Sequence, residues 1–204
     1  MLFSLSMPGT DNKIEQKVKL LKPGTIVFTE DFRSFGSPGA VAITLHRIVK
    51  KGVLRALARG IYTKPKFSEF LNQEVLPTTE EVALAIAKRD KARIIPTGIH
   101  AQNILGLSTQ VPLNLVYLTD GSPRIITIGN STIKFKKTTP KNLALKGAIS
   151  KLVVQALKEK GKGMVTNAEL QKICELLKKE NNNDLRHDIT LAPQWIAEIM
   201  ALAL

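Results

Sequence analysis

The chain has 204 residues, 44% of them hydrophobic, and 30 Lys/Arg against 17 Asp/Glu give a formal net charge of +13. That apolar content is enough for one or two packed domains and excludes global disorder. A single cysteine excludes an intramolecular disulfide and fits a reducing cytoplasm, and no apolar run approaches the length of a membrane span.

The charge is spread along the chain, +6 over residues 1–77 and +7 over residues 78–204, which points to a polyanionic or acidic partner rather than to one basic tail. Leu2 to Leu5 is too short for a signal peptide and lacks a basic n-region, and Met7 is a second candidate start. Asp11 is placed to cap a first helix with Ile14, Val18 and Leu21 on one face and Lys13, Lys17 and Lys19 off it, stopped by Pro23-Gly24. Thr25 to Phe28 reads as a strand, and Thr29 as the cap of a short helix carrying Phe32 and Phe35 before a turn at Gly36.

Ser37-Pro38 starts the next helix, a hydroxyl cap followed by a ring that needs no N–H at the first helical position, and Gly52 ends it. Val41, Leu45 and Ile48 recur at helical spacing as its core face. Ala40, Thr44, Arg47 and Lys51 are expected on the opposite face, with Lys50 at its edge, small near the start and cationic near the end. Such a face suits a helix laid in a major groove. His46 lies on the same helix. Val53 to Ala58 and Ile61 to Thr63 then flank a tight Arg59-Gly60 turn. Strand, helix, helix and hairpin is the order of a winged helix-turn-helix. In that reading Thr44 and Arg47 approach bases, Ser37, Lys50, Lys51 and Arg55 hold phosphates, and Arg59 sits at the wing. From Phe32 to Ser68 there are eight Lys/Arg and no acid.

Pro65 to Pro77 reads as an irregular connection, too apolar for a flexible tether and therefore expected to pack. Thr78 and Glu81 have capping-box spacing for a helix carrying Val82, Ala85 and Ile86 to about Arg89, and the domain boundary is placed just before it. Ala92 to Ile95 is a strand stopped by Pro96. Thr97 caps a helix with Ile99, Asn103 and Leu105, ended by Gly106. Leu113 to Thr119 is a strand with an Asp120-Gly121 turn. Arg124 to Ile128 and Thr132 to Lys137 form a hairpin about Gly129-Asn130. Ile133 and Phe135 alternate with Lys134 and Lys136, so one face is buried and the other wet and basic. Ala148 to Lys160 is a helix, Thr166 and Glu169 open another with Ile173, Cys174 and Leu177 inward, Asn181 to Asn183 is a loop, and Pro193 opens a last amphipathic helix.

Catalysis needs convergent polar groups, and little in the sequence suggests them. His46, His100 and His187 are far apart; no His-x-x-x-His or Cys-x-x-Cys pair is present; no phosphate-binding glycine pattern appears. Neither a metal nor a cofactor is expected. Asp120 follows a strand, where catalytic acids occur, but it reads better as an Asp-Gly turn residue. From Gly121 to Lys158 there are eight Lys/Arg and again no acid. Lys134, Lys136, Lys137, Lys141, Lys146 and Lys151 are the dense part, open to extra DNA contact or to an acidic protein partner.

The runs AITLHRIVKKGVLRALARGIYTKP and PTGIHAQNILGLSTQVPLNLVYLTDG resemble the AbiEi-type antitoxins of bacterial type IV toxin–antitoxin systems. The resemblance extends from about Thr25 to the end and implies an N-terminal winged helix that represses its own operon, with a C-terminal domain that counteracts a nucleotidyltransferase-like toxin. The expectation is therefore an α+β protein: an N-terminal winged helix-turn-helix over residues 1–77 and a mixed α/β C-terminal domain over residues 78–204. The partners expected are double-stranded operator DNA with inverted repeats and, functionally if not physically, the toxin. Lys134, Lys136, Lys137 and Lys141 are the expected antitoxicity surface. The alternatives are a winged-helix regulator that senses something else, and an enzyme acting on nucleic acid.

Overall fold

Helix α1 (Thr10–Leu20) buries Ile14 and Val18 and is followed by strand β1 (Ile26–Phe28) in a computed structural model that describes residues 9–204; Leu2 to Leu5 and the alternative start at Met7 lie outside the described residues. Asp11 does not cap α1, whose N-cap is Gly9; its carboxylate is turned to the neighbouring helix instead. The short helix expected after β1 is a 3-10 helix, Thr29–Phe35, held not by Thr29 but by the Asp31 carboxylate, which accepts the Phe28 N–H at 2.8 Å. Lys17 ties α1 to it, donating to the Asp31 carbonyl at 2.5 Å with its ammonium 5.0 Å from the centre of the Phe32 ring.

Helix α2 (Pro38–Lys50) starts as its sequence dictates: the Ser37 hydroxyl accepts the Ala40 N–H at 3.3 Å, and Gly52 at φ +74° turns the chain out of the helix. Strands β2 (Arg55–Ala58) and β3 (Ile61–Thr63) follow, and the sheet order is β1–β3–β2, antiparallel throughout. Val27, Phe32, Val41, Leu45, Ile48 and Leu54 close the core with Ile14 and Val18. The segment after β3 is not irregular. It forms a separate antiparallel ribbon of β4 (Lys66–Ser68) and β5 (Gln73–Val75). Nor does it bury its apolar side chains: Phe67, Phe70 and Leu71 are exposed.

Thr78 and Glu81 make the expected reciprocal cap on α3 (Thr79–Asp90), with the Thr78 N–H donating to Glu81 at 2.7 Å. Contacts divide the chain into two units, Met1–Val82 and Ala83–Leu204, a few residues beyond the boundary placed before Thr78.

The second unit contains a four-stranded sheet in the order β6–β7–β9–β8, built from β6 (Ile94–Pro96), β7 (Asn114–Thr119), β8 (Arg124–Ile128) and β9 (Ser131–Lys137). β7 and β9 run parallel; the other two pairings are antiparallel. Tyr117, Ile133 and Phe135 are buried on one face. Helix α4 (Gly98–Ile104) follows β6, and a single turn α5 (Pro140–Leu143) follows β9. The helical part of this unit is α6 (Ala148–Lys160), α7 (Asn167–Leu177), α8 (Asn182–Leu191) and α9 (Gln194–Ala201) around Leu157, Ile173, Leu177, Leu185, Ile196 and Met200. Helix α8 replaces the loop expected at Asn181–Asn183, because the Asn181 side chain accepts the N–H groups of Asn183 and Asp184 and starts a helix there.

The N-terminus of α6 is closed by two carboxylates from later in the chain. Asp188, fully buried, accepts the Lys146 and Gly147 N–H groups at 2.8 Å each, and Glu180 accepts those of Ala148, Ile149 and Ser150. Five orphan donors at a helix start are satisfied this way. The fold is mixed α+β, and among the described residues no helix is long and apolar enough to cross a membrane.

Candidate nucleic-acid interface

With Val41, Leu45 and Ile48 inward, the middle of the outward face of α2 is set by geometry at Gly39, Ile43, His46 and Lys50, all exposed. Ile43, at 55% exposure, is the large apolar residue on it. The sequence expectation took a neighbouring side of the helix. Thr44 is 2% exposed; its hydroxyl lies against the Asp11 carboxylate and 2.9 Å from the Ala40 carbonyl. A buried, hydrogen-bonded threonine does not read bases, and that assignment is withdrawn.

Arg47 and Lys51 flank the outward face and have partners on α1. Arg47 donates to Asp11 at 2.9 Å and Lys51 to Glu15 at 2.7 Å. The Lys51 hydrogen bond, and then its charge, holds the Glu15 carboxyl below the usual carboxylate range. Arg55 is likewise paired, with Glu74 of β5 at 2.9 Å. Lys50 and Arg59 have no ion pair among the described residues, and Arg59 sits exposed in the turn between β2 and β3, where Gly60 adopts φ +74°. Ser37 remains exposed at the start of α2 while its oxygen caps the helix. Of the seven residues expected to contact DNA, Ser37, Lys50 and Arg59 are exposed, Arg47, Lys51 and Arg55 are engaged by carboxylates, and Thr44 is internal.

The signal for this was in the sequence. Asp11 and Glu15 are four apart, as are Arg47 and Lys51, so each pair lines one side of its helix and the two sides are complementary.

In the second unit, Lys134 and Lys136 are exposed on the side of β9 opposite the buried Ile133 and Phe135, with the exposed Ile125 of β8 beside Lys134. Lys137 is exposed too, but strand alternation puts it on the Phe135 side, so it does not continue that row. Lys141 is exposed on α5. None of the four has an ion pair among the described residues. A residue the sequence reading passed over belongs with them: Lys158, in the last turn of α6, donates to Asn142 Oδ1 at 3.1 Å, and Asn142 donates to the Thr138 hydroxyl at 2.8 Å.

Asp120 is not free for chemistry. It accepts the Arg93 N–H and Nε–H, each at 2.8 Å, and the Arg93 side-chain bond above all holds its carboxyl below its ordinary range. His100 is buried against the edge of Tyr117. His187 contacts Asp188 at 2.9 Å, the carboxylate that closes α6. No group of three or more His, Cys, Asp or Glu among the described residues is arranged to hold a metal ion.

Fold and surface thus define a two-unit α+β protein whose first unit carries exposed cations on a helix and a hairpin and whose second carries exposed lysines on β9 and α5. The chain belongs to DUF6088, a family of unknown function, whose sequence profile matches residues 13–185. No curated protein matches it.

Proposed function

We propose that the first unit is a winged helix-turn-helix that binds double-stranded DNA, with α2 in the major groove and the β2–β3 turn as the wing. The observation that carries this reading is the element order α1, β1, 3-10 helix, α2, β2, β3 with sheet order β1–β3–β2, joined to an outward α2 face made of Gly39, Ile43, His46 and Lys50. Small and apolar side chains suit close approach to base edges and thymine methyl groups, while Lys50, Arg59 and Ser37 suit phosphates. One such helix covers few base pairs, so two copies on an inverted repeat are needed for a specific site.

The resemblance to AbiEi-type antitoxins supports the fuller reading: a cytoplasmic, non-enzymatic antitoxin that represses its own operon and counteracts a nucleotidyltransferase-like toxin, with the lysine face of the second unit serving that second role. Engagement of Asp120 by Arg93 weighs against the enzyme alternative.

The test of the DNA reading is selection of bound duplexes from a random pool, followed by footprinting on the region upstream of the gene. Enrichment of an inverted repeat, bound more weakly after Lys50→Gln with Arg59→Gln, is the expected result; no enrichment by the folded protein overturns it. The antitoxin reading is tested separately by growth rescue from an adjacent toxin gene. Lys134→Glu, Lys136→Glu and Lys141→Glu together should abolish rescue and leave promoter repression intact; full rescue by that variant refutes the role of the face.

A further inference from the structure

The lysine face has a focus. Lys158 Nζ, Asn142 and the Thr138 hydroxyl form a chain of hydrogen bonds that fixes the end of α6 against the end of β9. Thr138 follows directly on the last residue of β9, and Lys136 and Lys134 are the exposed lysines of that strand, two residues apart on one side of it. Lys141 bears on Lys158 from α5: partial burial first, and then the Lys141 charge, lower the Lys158 pKa below its ordinary value.

Other carboxylates of this unit have partners of their own. Asp120 serves Arg93, Asp90 serves Arg89 and Arg124, Glu169 serves Lys160, and Glu180 and Asp188 close α6. Glu159, although next to Lys158 in sequence, lies over Gly98 at the start of α4. One turn before Lys158 on the same side of α6, Gln155 is 5% exposed and its Nε2 has no acceptor among the described residues. Helical side chains lean towards the N-terminus, so the Lys158 stem lies over that turn.

We propose that Lys141 and Lys158, with Asn142 between them, form a phosphate-binding site on the second unit, whether or not the α2 surface binds DNA. The cluster contains lysines and no arginine. Arginine is the residue whose fork matches a planar carboxylate, whereas lysines act as point charges that several can direct at one tetrahedral phosphate. The phosphate can belong to a nucleic-acid strand or to a free polyphosphate; the row through Lys134 favours the strand.

The experiment uses the full chain carrying Lys50→Gln and Arg59→Gln, so that the α2 surface contributes little. Binding of sodium pyrophosphate is followed by calorimetry and binding of a fluorescent ten-nucleotide RNA by anisotropy. Lys141→Met with Lys158→Met should weaken binding at least about tenfold, as loss of charge-assisted hydrogen bonds predicts. Lys158→Arg should bind within about twofold of the parent at pH 7 and retain more affinity than the parent at pH 10, because arginine does not deprotonate there. Pyrophosphate binding without RNA binding assigns the site to a free polyphosphate, and the reverse assigns it to a strand. Equal binding of a polyglutamate peptide of matched charge, or parent-like affinity in the double methionine variant, overturns the proposal. So does an unchanged pH profile in Lys158→Arg.

Discussion

Removing two unpaired cations and removing one internal ion pair should change the salt dependence of DNA binding in different ways. Lys50 and Arg59 have no carboxylate partner among the described residues, whereas Lys51 is 2.7 Å from Glu15. Each phosphate neutralised contributes about 0.9 to the slope of log affinity against log salt. Lys50→Gln with Arg59→Gln should therefore flatten the slope by about 1.8 per chain. Over a fourfold rise in salt, the parent should lose roughly twelvefold more affinity than the variant. Glu15→Gln with Lys51→Gln removes one charge of each sign and two groups already satisfied by one another, so its slope should stay at the parent value. The assay is fluorescence anisotropy with a labelled duplex from the upstream region, between 50 and 200 mM salt, with circular dichroism to confirm the fold. If the Glu15/Lys51 variant flattens the slope by about 0.9 while the Lys50/Arg59 variant does not, the outward face has been drawn on the wrong side of α2.

Thr44→Val should cost about 1 kcal/mol of stability through the lost hydroxyl bonds and leave DNA affinity unchanged, read by urea titration beside the anisotropy assay; a loss of sequence preference would restore Thr44 as a base contact. Asp188→Ala should cost roughly 2–5 kcal/mol, because two backbone N–H groups at the start of α6 lose their acceptor; a urea midpoint within error of the parent refutes the cap. Asp120, Glu15 and Glu169 are held below their ordinary pKa chiefly by hydrogen bonds from Arg93, Lys51 and Lys160, and at Asp90 burial, which raises the pKa, is outweighed by hydrogen bonds from Arg89 and Arg124. Carboxylates lowered in the folded state contribute stability that is present above about pH 4, the unfolded value, and lost as pH falls through the lower folded values. Tm should be level from pH 7 to about 5 and fall below about 4; a rise in Tm on acidification contradicts these pairings.

Local patterns in the sequence were enough where one element carries its own signal. The β8–β9 hairpin, the limits of α6 and the caps at Thr78 and Thr166 are set by alternation, by Gly129-Asn130 and by hydroxyl–glutamate spacing. Patterns failed where a partner from elsewhere decides. Val41, Leu45 and Ile48 announce the core side of α2, but only the acids of α1 reveal that Thr44, Arg47 and Lys51 are also occupied. Three consecutive asparagines look like a loop, yet Asn181 is a helix cap. Phe67 and Phe70 look like core residues, and the ribbon they form has nothing of its own to bury them. Lys158 counts only as the end of a basic run in the sequence, because its contact with Asn142 is made through the return of the chain after β9.

The closure of α6 by Glu180 and Asp188 also fixes an order of events during synthesis. Gly147 leaves the ribosome 41 residues before Asp188, its acceptor, a delay of about 2–8 s at ordinary elongation rates. The first unit, by contrast, ends at Val82. A nascent chain can thus complete its helix and hairpin surface while α6 still waits for its carboxylates. A message broken between the codons for Val82 and Glu180 would yield a product with the first unit whole and α6 without its carboxylates, separating the α2 surface from the lysine face.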